Sequence, residues 1–138
     1  MPGLPLPEAR FETAPFWTGG ERGELLIYRC GDCGRWLHPP KPVCRRCLSR
    51  SVAPVAVSGY GTVYSYTVNY QPWIPDVPVP YTLAIVELDE DALLRVSTRL
   101  VGVEPADVRI GLRVRVIFEQ NEDVWLPCFT LAAQEGAR

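Results

Sequence analysis

The sequence has a single histidine, His38, among 138 residues, and that scarcity removes much catalytic chemistry at the outset. Ser-His-Asp, Cys-His and multi-histidine metal sites all require an imidazole oriented by a second group. His38 sits in Trp36-Leu-His-Pro-Pro40 with no base to orient, so loop packing is the simpler expectation and contact with a ligand phosphate or a partner the alternative. No uninterrupted run of about 18 apolar residues exists, so no transmembrane helix is expected. The start, Met-Pro-Gly-Leu-Pro-Leu-Pro-Glu, lacks the basic opening and apolar stretch of a signal peptide, which makes the cytoplasm the expected location. A Gly-rich phosphate loop is missing too: Gly59-Tyr-Gly61 is too short and reads as a bend entering a strand. Internal repeats are absent.

What remains is a globular chain with 47% hydrophobic residues, enough for one modest core or two small units sharing a surface. Its net charge of −2 is unevenly spread. Residues 1–28 carry −2, residues 29–50 carry +5, and residues 51–138 carry −5. The basic charge therefore coincides with the cysteines, and an acidic C-terminal part argues against gripping a phosphate backbone.

Those cysteines form two pairs, Cys30-x2-Cys33 and Cys44-x2-Cys47, ten residues apart. Two thiolates separated by two residues reach one ion from a single tight turn, and four sulfurs give a closed tetrahedral site with no open position for substrate or water. A structural zinc ion is the expected occupant, contributing on the order of 10 kcal/mol to the folding of a ribbon too small to hold itself. Two disulfides fit poorly without an export signal; a redox iron is compatible with the spacing. Cys128, in Leu126-Pro-Cys-Phe-Thr-Leu131, is expected to be a small buried hydrophobe.

The sequence divides into an arm (1–23), a ribbon (24–51) and a β unit (52–138). Prolines and glycines break the arm, leaving room only for a short helix between Phe11 and Arg22, and the Phe16-Trp17 pair is expected to dock it. Glu24 to Arg29 reads as a strand. Beyond Val52, five strands are expected at Thr62–Tyr70, Tyr81–Leu88, Leu93–Val101, Leu112–Glu119 and Val124–Leu131, with one helical turn at Glu104–Asp107. That order matches a five-stranded OB barrel. Strict alternation would place Tyr64, Tyr66, Val68 and Tyr70 on one face. Such a stripe suits base stacking and equally suits barrel core or a protein interface. Asp89-Glu-Asp91 is expected to be a solvated hairpin turn.

Taken together, Phe16-Trp17, Arg29-Cys-Gly-Asp-Cys-Gly34, His38-Pro-Pro40, Val43-Cys-Arg-Arg-Cys47, Val57-Ser-Gly-Tyr-Gly-Thr-Val-Tyr-Ser-Tyr-Thr67, Ala84-Ile-Val-Glu-Leu88 and Val108-Arg-Ile-Gly-Leu-Arg-Val-Arg-Val116 closely resemble the acyl-CoA-associated OB-fold family with a rubredoxin-like zinc ribbon. The resemblance spans residues 11 to 131. It implies a mainly β fold and an accessory subunit with no catalytic residues of its own. Members accompany thiolase-superfamily enzymes on acyl-CoA thioesters, including thiolases, acyltransferases and the lipid-transfer-type aldolases of steroid side chains; some are fused to a hot-dog-fold hydratase. One departure is Thr18-Gly-Gly20, which weakens the N-terminal helix found in relatives.

Candidate contacts with the partner or with acyl-CoA are Tyr70, Trp73 and Ile74, in or beside a loop whose four prolines limit the entropy lost on docking, with a merely stiff connector as the alternative. Arg35, Lys41, Arg45 and Arg46 of the ribbon are candidates for CoA phosphates or an acidic surface, with solvated charge as the plain alternative. A single-stranded nucleic-acid module is the rival class; the acidic β unit opposes it.

Overall fold

The computed structural model describes residues 5–132; Met1–Leu4 of the expected arm and the last six residues of the expected β unit lie outside them. In Leu25–Cys30 (β1), Leu25 and Ile27 turn inward and Cys30 ends the strand buried. Trp36–Leu37 (β2) pairs with one side of β1 and Val52–Val57 (β3) with the other, giving a three-stranded sheet of order β2-β1-β3. The ribbon's sheet therefore runs to Val57, past the expected boundary at 51/52. Gly59, at φ 84°, then turns the chain into the barrel.

Five strands close that barrel: Tyr60–Asn69 (β4), Tyr81–Leu88 (β5), Arg95–Leu100 (β6), Arg113–Asn121 (β7) and Val124–Leu131 (β8), in the order β4-β5-β6-β8-β7. Each expected strand is present, and the single turn at Pro105–Asp107 falls between β6 and β7. Closure is made where Gly61 of β4 meets Val114 of β7 and where Leu100 of β6 runs parallel to Phe129 of β8. On β5 the inward residues Thr82, Ala84, Val86 and Leu88 are buried in alternation with outward neighbours, the period-two signature of a strand with one face on the core.

Strict alternation fails on β4. A bulge between Val63 and Ser65 shifts the register, so that Val63 faces Val86 while Ser65 faces Ile85. An extra residue reverses the facing of everything after it. Tyr64 is thereby turned outward, where Arg95 stacks on its ring at 3.8 Å, whereas Tyr66, itself 39% exposed, lies in register opposite buried Ala84. The tyrosines do not form the single stripe expected of them.

The arm folds as a one-turn helix, Ala14–Thr18 (α1), flanked by 3-10 turns at Phe11–Thr13 and Gly19–Arg22. It packs on β1, β7 and β8. Phe16 is buried in the same cluster as Leu25, Ile27 and the barrel interior, with Trp17 packed against it. Arm, ribbon strand and barrel thus share one core. The glycines that shorten the helix are also what seats it: a Cβ on Gly20 would lie 2.5 Å from the Phe118 ring and 2.6 Å from Trp125.

The acidic turn after β5 is more than solvated charge. Both carboxylate oxygens of Asp89 accept from Arg113, at 2.7 and 2.9 Å, and this hydrogen bonding holds Asp89 below the usual carboxylate range. Glu90 accepts from the Ser58 amide at 2.7 Å and Asp91 from the Leu93 amide at 2.8 Å. Among the described residues, no helix is long and apolar enough to cross a membrane.

Candidate metal centre and contact residues

The two cysteine turns are built alike. The amide of Cys30 donates to the Arg35 carbonyl and that of Cys44 to the Ser49 carbonyl, each at 2.9 Å. Gly34 donates back to Cys30 at 3.0 Å and Leu48 back to Cys44 at 2.8 Å. Gly34 and Leu48 occupy equivalent positions, and both adopt positive φ, 80° and 65°. Glycine accepts that conformation freely; leucine does so at a cost. A second contact ties the turns together, the Ser49 hydroxyl donating to Asp32 at 2.5 Å.

This scaffold brings all four expected ligands to one point, with sulfurs within 4.8 Å of one another. Cys30 and Cys47 are 3.5 Å apart and Cys33 and Cys44 3.6 Å, close to the roughly 3.8 Å between ligands of a tetrahedral zinc with bonds of about 2.3 Å. They are far too long for disulfides, whose sulfurs lie at about 2.05 Å. Amide donation from Cys33, at 3.4 Å, and from Asp32 lowers the Cys30 thiol to about 6, and the Cys47 amide does the same in direction for Cys44. Although the Ser49 amide favours its thiolate, the neighbouring Cys30 sulfur and burial push Cys47 the other way, up to about 12; a cation shared by the four sulfurs relieves that opposition, and the donor set is that of a thiolate-loving ion. Cys30 and Cys44 are buried while Cys33 and Cys47 face solvent. Bound zinc would cross-link the two turns, and the four protein ligands complete its shell.

The expected contact residues separate into two places. Arg35 and Arg46 line a cavity of about 280 Å³ with Cys33, Trp36 and the Asp91–Leu94 turn of the barrel; Lys41 and Arg45 are exposed on the ribbon. Tyr70 and Trp73, 68% and 72% exposed, belong to the β4–β5 loop. That loop enters β5 at Tyr81, whereas the ribbon-side turn leaves it after Leu88, so the two groups lie near opposite ends of a strand about 25 Å long. Trp73 is pinned: its indole N–H donates to Asn69 Oδ1 at 3.1 Å. Ile74 is partly buried and Val77 buried, and the Val77 amide donates to the Ile74 carbonyl at 3.2 Å within the loop. The burial of Val77 was not foreseen from the sequence.

Cys128 is buried, and desolvation raises its pKa although Arg99 lies at 3.4 Å. It is a protonated packing group. His38 packs on Phe16, ring centroids 4.9 Å apart, and its Nδ1 has no partner among the described residues. Burial depresses its pKa from 6.5 to about 4. The unfolded chain then binds the proton more readily, so stability from neutral His38 is complete above pH 6.5 and is lost as pH falls towards 4. The span is worth about 3 kcal/mol. Denaturant midpoints between pH 7.5 and 5 should fall more steeply for the native sequence than for His38→Phe; zinc loss to acid affects both proteins and cancels in the comparison.

A zinc ribbon whose strand shares its core with an OB barrel defines the class of protein. The chain belongs to the ChsH2/DUF35 family. A family model described as the ChsH2 rubredoxin-like zinc ribbon domain matches residues 17–53, and one for the ChsH2 C-terminal OB-fold domain matches residues 54–119. The ribbon is therefore a zinc ribbon. A DUF35 domain-containing scaffold protein of Methanocaldococcus jannaschii is 34% identical, over 75% of this chain and 73% of the relative. A 3-oxo-4,17-pregnadiene-20-carboxyl-CoA hydratase alpha subunit of Mycobacterium tuberculosis is 39% identical over 81% of this chain, which spans only 35% of that subunit's length. Among solved structures, a chain of an Ltp2-ChsH2(DUF35) aldolase superposes with a TM-score of 0.83 at 34% identity, covering 93% of this chain and 100% of that one.

Proposed function

We propose that this chain is a non-catalytic accessory subunit that binds a thiolase-fold enzyme and supports its acyl-CoA chemistry. Retro-aldol cleavage of a lipid or steroid side-chain acyl-CoA is the specific case favoured; thiolase and acyltransferase reactions are the others in the same class. The observation that carries this reading is the likeness, over the full length of that chain, to a component of an aldolase assembly. The scaffold role named for an archaeal relative supports it, and so does a metal site whose four ligands all come from protein. The hydratase subunits in which the matching region forms about two fifths or less of the length support a hydratase, of the hot-dog type in this reading, as a further member of the complex. In this arrangement Trp73 and its loop meet protein, and Arg35 and Arg46 face CoA phosphates or an acidic patch.

Affinity purification from the native cell, with mass spectrometry of the co-purifying chains, tests this. A thiolase-superfamily protein in stable stoichiometry is the expected result. Its consistent absence would remove the reading.

A further inference from the structure

β5 is apolar on both of its faces. Ala84, Val86 and Leu88 fill the barrel, yet the alternate residues Leu83 and Ile85 are also apolar and stand 43% and 37% exposed on its outside. With Ser65 and Thr67 of β4 and Ser97 of β6 they line a trough of about 410 Å³. The small hydroxyl residues make the depression; the leucine and isoleucine make it apolar. A strand of a one-layer barrel needs only one apolar face, so the second is unexplained by folding.

Both ends of the trough carry fixed side chains. At one end the bulge turns Tyr64 outward, and the guanidinium carbon of Arg95 lies over its ring, 3.8 Å from the centroid. Glu87 is opposite Arg95 in register, but the cation forms no ion pair among the described residues, and its Nε is shielded from water without an acceptor. Stacking engages the faces of a guanidinium and leaves its in-plane donors for a carboxylate. Along β4 in the other direction, Ser65 and Thr67 are followed by Asn69 as the next outward residue, which pins the exposed indole of Trp73. An apolar centre flanked by an immobilised tryptophan and a tyrosine-stacked arginine has the composition of an interface hot spot, and the restraints lower the entropy lost on binding.

We infer that the outer face of β4, β5 and β6 is where the enzyme partner docks. An aliphatic ridge of the partner lies over Leu83 and Ile85, and a partner carboxylate meets Arg95. The inference rests on the accessory-subunit reading and adds the surface and its chemistry. Charge complementarity selects the partner's character, since an unpaired cation beside an apolar trough favours a ridge bordered by acid.

The test uses the thiolase-superfamily enzyme that co-purifies with the wild-type chain, titrated with zinc-loaded full-length variants. Leu83→Glu and Ile85→Glu should each weaken binding on the order of 100-fold. Arg95→Glu should weaken it about 10-fold and flatten its salt dependence. Ile110→Glu, at an exposed position outside this face, should bind within about threefold of wild type. Unchanged zinc content and melting temperature establish that each variant is folded; should a charged variant melt early, Leu83→Ser and Ile85→Ser must still weaken binding. Wild-type affinity in the Leu83 and Ile85 variants overturns the assignment of this face and leaves the accessory role standing. Failure of any thiolase-superfamily chain to bind the wild type overturns both. Conversion of a chain dimer to monomer by Leu83→Glu would give the face to a second copy and overturn the inference.

Discussion

Replacing Cys44 with alanine is expected to abolish zinc binding and to destabilise the whole chain, barrel included. Cys44 is fully buried, and its backbone holds both Ser49 and Leu48 in the second turn. Three remaining thiolates cannot close the tetrahedron, so most of the on-the-order-of-10 kcal/mol that a structural zinc contributes is forfeited. The cluster around Cys30, Leu37 and Cys44 is too small to compensate. The effect extends further because β1 carries Cys30 at one end and Leu25 and Ile27, members of the barrel's own core, at the other. Calorimetry with zinc analysis should show loss of one zinc per chain and a much lower melting temperature for the single transition. A barrel transition that stays in place while the metal is absent would contradict the shared core.

Phe129→Ala should be the most damaging change away from the metal, at about 3–5 kcal/mol. Phe129 is fully buried on β8 and faces Val116 across the pairing with β7. It is also the residue paired with Leu100, and its carbonyl accepts from the Val101 amide at 2.9 Å. The parallel seam between β6 and β8 therefore closes directly at this residue. A cavity here removes packing at the one place where pairing is sparse, so cost is expected at the upper end for such truncations. Urea unfolding that moves by less than about 1 kcal/mol would show that the seam is held elsewhere.

Much of this was legible because the relevant signals are local. Cys30, Cys33, Cys44 and Cys47 announce their site by spacing alone, and the strands of the barrel are marked by alternation between turn residues. What escaped depends on events that spacing cannot encode. The bulge at Tyr64 reverses facing after one residue, and nothing in Val63-Tyr-Ser-Tyr66 signals it. The pairing of Val52–Val57 with β1 is a long-range choice between two sheets that a run of valines and alanines leaves undecided. Gly19 and Gly20 read as helix breakers, although the packing of Phe118 and Trp125 shows that the second is a clearance. The apolar outer face of β5 was available in principle: Tyr81 to Leu88 is apolar at both parities, which in a one-layer barrel implies something outside to cover it.

In the proposed role this chain organises acyl-CoA chemistry performed by another polypeptide. Acyl-CoA turnover tests that role, measured for the zinc-loaded chain alone, for the proposed thiolase-fold partner alone, and for the two recombined. None is expected from the chain, little from the isolated enzyme, and recovery on mixing; turnover by the zinc-loaded chain alone would overturn the non-catalytic role.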